Sequence, residues 1–262
     1  MRASLPTVTW ERSAPAQVSS LRPGDVHVWR VELDLLPDGV CGALSEDERA
    51  RAAQILDAGR SGRWARARAA LRLLLAEYLL ADLDRRAPLR SSPPSIGVSP
   101  LGVGDARAIR LHTEPNGRPV LAEAAKVPHP LRFSLSHSGS LALYALAVAG
   151  SEEHGLGLGV DIEMARRRPL SASSEIRLAG ALGEHDAARL ARLEPLQRRN
   201  ELLRMWTRRE AELKWRNAGA PTTAKPWIVE LDPGCAGAGA GAAALALDRP
   251  PRELSLLEYA PG

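Results

Sequence analysis

The sequence predicts an α+β fold, and three observations carry that expectation. Helical and strand-like runs do not alternate one for one, which argues against a doubly wound α/β sheet. Each half of the 262-residue chain holds helices and several strands of its own. A polar break at Ser151–His154 separates the halves. The length suits one large domain or two of roughly 100–150 residues. Hydrophobic residues make up 45% and charged residues 25%, which excludes a chain disordered throughout.

The elements follow in order. Residues 1–24 are rich in Ser, Pro and polar residues and read as a loose leader. Val26–Leu33 has strand character. Ser45-Glu46-Asp47-Glu48 is a capping box with Ser45 as N-cap and Glu48 at N3, opening a helix to about Leu56. Leu71, Leu74, Leu75, Tyr78 and Leu79 recur at helical spacing and predict a second helix over 63–81. Residues 87–105, rich in Pro, Gly and Ser, read as a flexible insertion.

Three short strands are expected next, at 108–112, 131–135 and 141–148, the first two parted by the turn Glu114-Pro115-Asn116-Gly117-Arg118-Pro119. Leu158–Glu163 reads as another strand, then an arginine-rich loop. Helices are expected at 174–193 and 196–217, divided at Pro195, which suits a first helical turn. Strands at 227–231, 243–247 and 254–259 close the chain, and the Gly/Ala run 234–244 reads as a low-complexity loop.

The basic balance favours an anionic partner: the net charge is +4 and the isoelectric point near 9.5. Basic and acidic residues interleave rather than forming one basic tract, which speaks against a nucleic-acid arm. Three of the 35 basic residues are lysine, Lys126, Lys214 and Lys225, and Phe133 is the only phenylalanine. An arginine in a motif is therefore weak support, and a lysine or phenylalanine strong support. Cys41 and Cys235 lie far apart, make no metal-ligand spacing, and read as reduced thiols of a cytoplasmic protein. No basic-led apolar run opens the chain, so no secretion signal is expected. The longest apolar stretch, Leu141–Ala149, is too short to span a bilayer.

Several segments could carry chemistry. In Gly159-Val160-Asp161-Ile162-Glu163, strand alternation places Asp161 and Glu163 on one face. Two adjacent carboxylates repel, and a cation relieves that; a solvent-facing acidic strand edge is the competing reading. Gly155, Gly157 and Gly159 imitate a dinucleotide fingerprint but lead into a strand rather than opening a helix, so that reading fails. In Trp206-Thr207-Arg208-Arg209-Glu210-Ala211-Glu212-Leu213-Lys214-Trp215, positions 206, 210 and 214 line one helical face. An exposed Glu–Lys pair is the plain alternative, though arginine would serve it equally in this chain. Phe133-Ser134-Leu135-Ser136-His137-Ser138-Gly139 lacks a Gly-x-Ser-x-Gly elbow, so a hydrolase triad is not expected. Its hydroxyls and imidazole suit a phosphate, or simply a hairpin turn.

Taken together and in this order, these segments resemble the 4′-phosphopantetheinyl transferase superfamily, in its larger two-halved Sfp-type members. Residues 159–163 match the Gly-(Val/Ile)-Asp-x-Glu strand. Residues 206–214 match Trp-x-x-Lys-Glu-Ala-x-x-Lys, with Arg209 for the first lysine. Residues 133–139 match Phe-Asn-(Ile/Leu)-Ser-His-Ser-Gly with Ser134 for Asn, and 115–119 match Pro-x-Gly-Lys-Pro with Arg118 for Lys. The Arg63…Arg68…Leu71-Arg72 pattern is similar to the N-terminal half. The resemblance spans roughly residues 26–231.

The resemblance implies two similar subdomains related by a pseudo-two-fold axis, with the active site in the cleft between them: 25–154 on the CoA nucleotide side, and 155–262 bearing the metal and catalytic carboxylates. It implies Mg²⁺-dependent (Mn²⁺ possible) transfer of the 4′-phosphopantetheine arm of coenzyme A to a serine of an apo acyl or peptidyl carrier protein. Asp161, Glu163 and Glu210 would hold the metal. Glu210, directly or through water, would be the general base, with Asp161 and Lys214 also catalytic. Lys214 would bind a phosphate oxygen, Ser136 and His137 a CoA phosphate, and Arg63 and Arg118 the nucleotide. A monomer, an acidic carrier partner, and neither nucleic acid nor membrane are expected. A non-catalytic basic binding protein is the rival class; it explains the charge but not the clustered carboxylates. An inactive member of the family is a third reading, opposed by the intact Asp161, Glu163, Glu210 and Lys214.

Overall fold

The computed structural model describes residues 9–14, 21–86, 103–122, 131–149, 157–165, 172–220, 223–234 and 241–259. The Ser151–His154 break, Gly155, most of the 87–105 insertion, Lys126, the arginines at 166–168 and Cys235 lie outside them. The described elements run β1 (Glu11–Ser13), β2 (Asp25–Glu32), α1 (Glu46–Ala53), α2 (Ala58–Arg86), α3 (Val103–Ala108), β3 (Leu111–Thr113), β4 (Pro119–Leu121), β5 (Leu131–Ser138) and β6 (Leu141–Val148). They continue with β7 (Leu158–Met164), α4 (Ala172–Leu182), α5 (Glu184–Ala191), α6 (Pro195–Asn217), β8 (Trp227–Leu231), β9 (Gly241–Leu247) and β10 (Glu253–Tyr259). The fold is mixed α+β, as the segregated pattern of elements predicts.

Strand alternation builds the layers. A five-stranded sheet has the order β1-β10-β2-β6-β5, and a three-stranded sheet has the order β7-β9-β8. Leu141, Leu143, Ala145 and Ala147 of β6 face a core shared with Leu158, Val160 and Ile162 of β7 and Leu245 and Leu247 of β9. The alternate residues Ala142, Tyr144 and Leu146 face Leu71, Leu74 and Leu75 of α2. The outer face of the small sheet, Ala244 and Ala246, packs on Ala211 and Trp215 of α6. The layers are thus helix, sheet, sheet, helix. Buried on both faces, β6 reads as a continuous apolar run instead of an alternating one.

Several details depart from expectation. Leader residues 11–13 form the edge strand β1, paired parallel with β10, and Leu21 is buried. The last strand, β10, pairs parallel with β2 in the first sheet, so the 155–262 segment is not confined to one side of the molecule. Residues 241 and 242, read as loop, extend the expected strand at 243–247 into β9, the central strand of the small sheet. Small alanines suit that place, because α6 covers one face at close range. The expected strand at 108–112 shifts to Leu111–Thr113, because α3 continues to Ala108.

The capping box forms as expected: the Glu48 amide donates to Ser45 Oγ (3.3 Å), and the Ser45 amide donates to Glu48 Oε2 (3.1 Å). Glu48 also accepts from Arg72 Nε (2.5 Å). The Arg72 guanidinium, 3% exposed, donates further from Nη1 to the carbonyls of Ala106, Arg107 and Ile109. One arginine therefore joins α1, α2 and the end of α3.

A second buried polar cluster lies between β2 and α2. Trp29 Nε1 donates to Tyr78 Oη (2.9 Å), which stands 2.6 Å from His27 Nδ1. Burial lowers the His27 pKa, against the opposing pull of Asp25 and Glu253. The folded state therefore takes up a proton on His27 less readily than the unfolded chain, which does so below about pH 6.5. Stability is expected to fall as pH drops through that value, by at most about 1.4 kcal/mol per unit from this group. Urea melts between pH 7.5 and 5 should show a flatter acid limb in His27→Asn; an unchanged limb would remove His27 as its source.

Candidate active site

Helix α6 lies against β7 at backbone contact distance, and Gly159 permits it. A Cβ at Gly159 would fall on the Ala211 carbonyl oxygen and within 2.6 Å of the Trp215 amide nitrogen. Asp248 secures the same contact, accepting from Trp215 Nε1 (2.8 Å) and from the Gly157 amide (2.8 Å). With the helix held so closely, Lys214 reaches β7. Its ammonium donates to Asp161 Oδ1 (2.7 Å), to the Val160 carbonyl (3.0 Å) and to the Leu135 carbonyl of β5 (3.3 Å). An ammonium has three N–H donors, so these acceptors saturate it.

Asp161 is 5% exposed, which excludes a solvent-facing acidic edge at this residue. Its Oδ1 accepts from Lys214 and from Ser136 Oγ (2.7 Å), while Oδ2 is buried without a hydrogen-bond partner. Glu163, two residues on and half-buried, accepts from Ser138 Oγ (2.9 Å). Glu210 stands one turn before Lys214 on α6 and is half-buried. Among the described residues, no three His, Cys, Asp or Glu side chains converge as a ready-made metal centre. The donor chemistry still fits a hard cation: two carboxylates on one strand face, one with a buried and unsatisfied oxygen.

Beside this cluster opens a cleft of about 280 Å³. Trp64 and Arg68 of α2, Arg118 of the β3–β4 turn, Phe133 and His137 of β5, and Lys214 of α6 line it. The Arg68 guanidinium lies 5.5 Å from the Trp64 ring centroid, and its Nη1 is buried without a partner. Burial works against its charge and lowers its pKa, an effect Glu48 partly opposes. Arg118 Nη1 donates to the Asn217 carbonyl at the end of α6 (2.8 Å), linking the turn to that helix. Its Nε is buried and makes no hydrogen bond, with the Glu114 carboxylate 3.7 Å away. The His137 pKa is lowered by partial burial of the ring first, then by Lys214, Arg68 and Arg60. An anion in the cleft would relieve each of these penalties.

Not every expected site residue lies where its motif suggested. Arg118, His137 and Lys214 meet in the cleft, but Arg63 does not line it. Arg63 instead forms a bidentate, exposed pair with Asp34 (3.0 and 2.6 Å), a pairing worth little in water. Arg63 stands one residue, about 100° around the helix, from the face that bears Trp64 and Arg68. The i, i+4 spacing of those two, with a scarce aromatic, is the signal that marks the cleft face. Ser136 binds the Asp161 carboxylate rather than lining the cleft. Lys214 engages Asp161 and two carbonyls, leaving no donor for a phosphate oxygen in this arrangement. No protein-family model matches the chain, and no curated protein matches it in sequence.

Proposed function

We propose that the protein is a 4′-phosphopantetheinyl transferase that moves the 4′-phosphopantetheine arm of coenzyme A onto a serine of an apo carrier protein. The observation that carries this reading is the cleft itself: two arginines with unsatisfied donors and an imidazole, beside two carboxylates on one strand face. Such a wall suits a polyphosphate ligand. The layering of two sheets, each with helices on its outer face, supports two similar halves, with the pseudo-two-fold relation part of this proposal.

In the reaction, the carrier serine oxygen forms a bond to the phosphorus that bears pantetheine. The bond from that phosphorus to the bridging pyrophosphate oxygen breaks, and adenosine 3′,5′-bisphosphate leaves with the electron pair. The serine proton passes to a base, for which Glu210, directly or through water, is the candidate. Such displacement needs charge neutralisation and alignment more than covalent help. Mg²⁺ or Mn²⁺ held by Asp161, Glu163 and Glu210 would supply charge neutralisation at the pyrophosphate. Arg68 and Arg118 would take phosphate oxygens, and His137 a further phosphate, where bound anion favours the imidazolium. Lys214 serves here as counter-ion to Asp161, not as a direct phosphate ligand. One chain supplies every named residue, so a monomer is the expected state, and an acidic carrier suits the basic balance. No described helix is long and apolar enough to cross a membrane; a cytoplasmic setting is part of the proposal.

Incubation with coenzyme A, Mg²⁺ and a panel of apo carrier proteins should add the pantetheinyl mass to the carrier serine. Absence of that increase with every carrier would sink the reading.

A further inference from the structure

The edges of the two sheets meet along β5 and β7, and three alternate serines join them. Ser134 Oγ accepts from the Val160 amide (3.0 Å). Ser136 Oγ donates to Asp161 Oδ1 (2.7 Å). Ser138 Oγ donates to Glu163 Oε2 (2.9 Å) and accepts from the Met164 amide (3.1 Å). The three stand at i, i+2 and i+4, so strand alternation points them all to one side of β5. Their partners differ in kind. Ser134 serves backbone alone, Ser136 a carboxylate alone, and Ser138 a carboxylate and a backbone amide.

We infer that Ser136 and Ser138 are positioning residues that set the orientation of the Asp161 and Glu163 carboxylates for a divalent cation. The inference rests on the transferase reading only for the cation's use, not for its binding. Three facts carry it. The Asp161 carboxylate is buried, so its rotamer is decided by its partners rather than by water. Both of its donors, Ser136 and Lys214, lie on Oδ1 and leave Oδ2 without a partner. The bonds from Ser136 and Lys214 therefore hold Oδ1 and keep Oδ2 as the carboxylate oxygen left for a cation. Glu163 is half-buried and receives the same treatment from Ser138, anchored in turn by the Met164 amide. Groups that hydrogen-bond metal ligands typically govern affinity by 10–100-fold.

The test uses Mn²⁺ alone, with no CoA or carrier, titrated into the full chain and followed by the electron paramagnetic resonance signal of free Mn²⁺. Ser136→Ala and Ser138→Ala should each weaken Mn²⁺ binding roughly tenfold to a hundredfold. Ser138→Thr keeps the hydroxyl and should bind as the parent does. Ser134→Ala removes a seam bond that serves backbone alone and should leave Mn²⁺ affinity unchanged, whatever it does to the melting temperature. If an alanine variant does not fold, the cysteine replacement, near-isosteric with only a weak donor, takes its place and should show the same loss. Unchanged Mn²⁺ binding in the Ser136 and Ser138 variants would overturn the inference. So would an equal loss in Ser134→Ala, which would mark the serines as a structural seam only, or a parent protein that does not bind Mn²⁺. A parent that binds Mn²⁺ with the expected variant pattern but pantetheinylates no carrier would overturn the transferase reading and leave this one standing.

Discussion

Asp161→Asn should abolish pantetheinyl transfer, by roughly a thousandfold or more, with the fold retained. The amide oxygen can keep the bonds from Ser136 and Lys214, whose distances to Oδ1 are both 2.7 Å. The amide nitrogen then takes the place of Oδ2, the buried oxygen without a partner. An NH₂ there repels a cation where a carboxylate oxygen would bind one. Losing several kcal/mol of charge stabilisation at the pyrophosphate corresponds to about three powers of ten in rate. Asp161→Ala should remove transfer as well, but it also leaves the Lys214 ammonium facing only two carbonyls, so asparagine is the sharper probe. Single-turnover transfer with saturating CoA and Mg²⁺, beside thermal melts, measures both effects. Asp161→Asn activity within a few-fold of the parent would remove Asp161 from the reacting centre.

Arg72→Ala should cost about 3–5 kcal/mol of stability. The arginine is 3% exposed, and its Glu48 partner is 13% exposed. Truncation leaves the Glu48 carboxylate without its closest cation and takes the guanidinium donor from the carbonyls of Ala106, Arg107 and Ile109, of which Ala106 keeps the Ile109 amide. For a chain of this length the loss corresponds to roughly 10 °C in melting temperature. Arg72→Lys keeps the charge but cannot serve four acceptors in fork geometry, so it should rescue only part of the loss. A drop below about 1 kcal/mol in chemical denaturation would show that α1 and α3 dock by apolar packing alone.

The sequence resolves much of this architecture through local geometry. A capping box at Ser45–Glu48, a proline at the start of α6 and alternating apolar residues in β5 and β7 each depend on residues a few positions apart. Most element boundaries follow from them to within a few residues. Where expectation missed, a longer-range partner decided. Residues 11–13 become a strand only because β10 returns beside them. The expected strand at 243–247 begins two residues early, at Gly241, because β7 pairs alongside Gly241 and Ala242. Nothing in a Gly/Ala run announces such neighbours.

The candidate site divides in the same way. Sequence alone places Asp161 beside Glu163 on one strand face and Glu210 in line with Lys214 on one helical face, because periods of 2 and 3.6 are properties of the backbone. It also marks Lys214 and Phe133 by their rarity. Only the tertiary structure decides that Arg68 rather than Arg63 faces the cleft, that Lys214 spends its donors on Asp161 and two carbonyls, and that Ser136 and Ser138 address carboxylates. Each of those outcomes depends on which edge of one sheet lies against which edge of the other. That choice is made by burying apolar faces contributed by strands far apart in the chain, a non-local free energy that no short window of sequence contains.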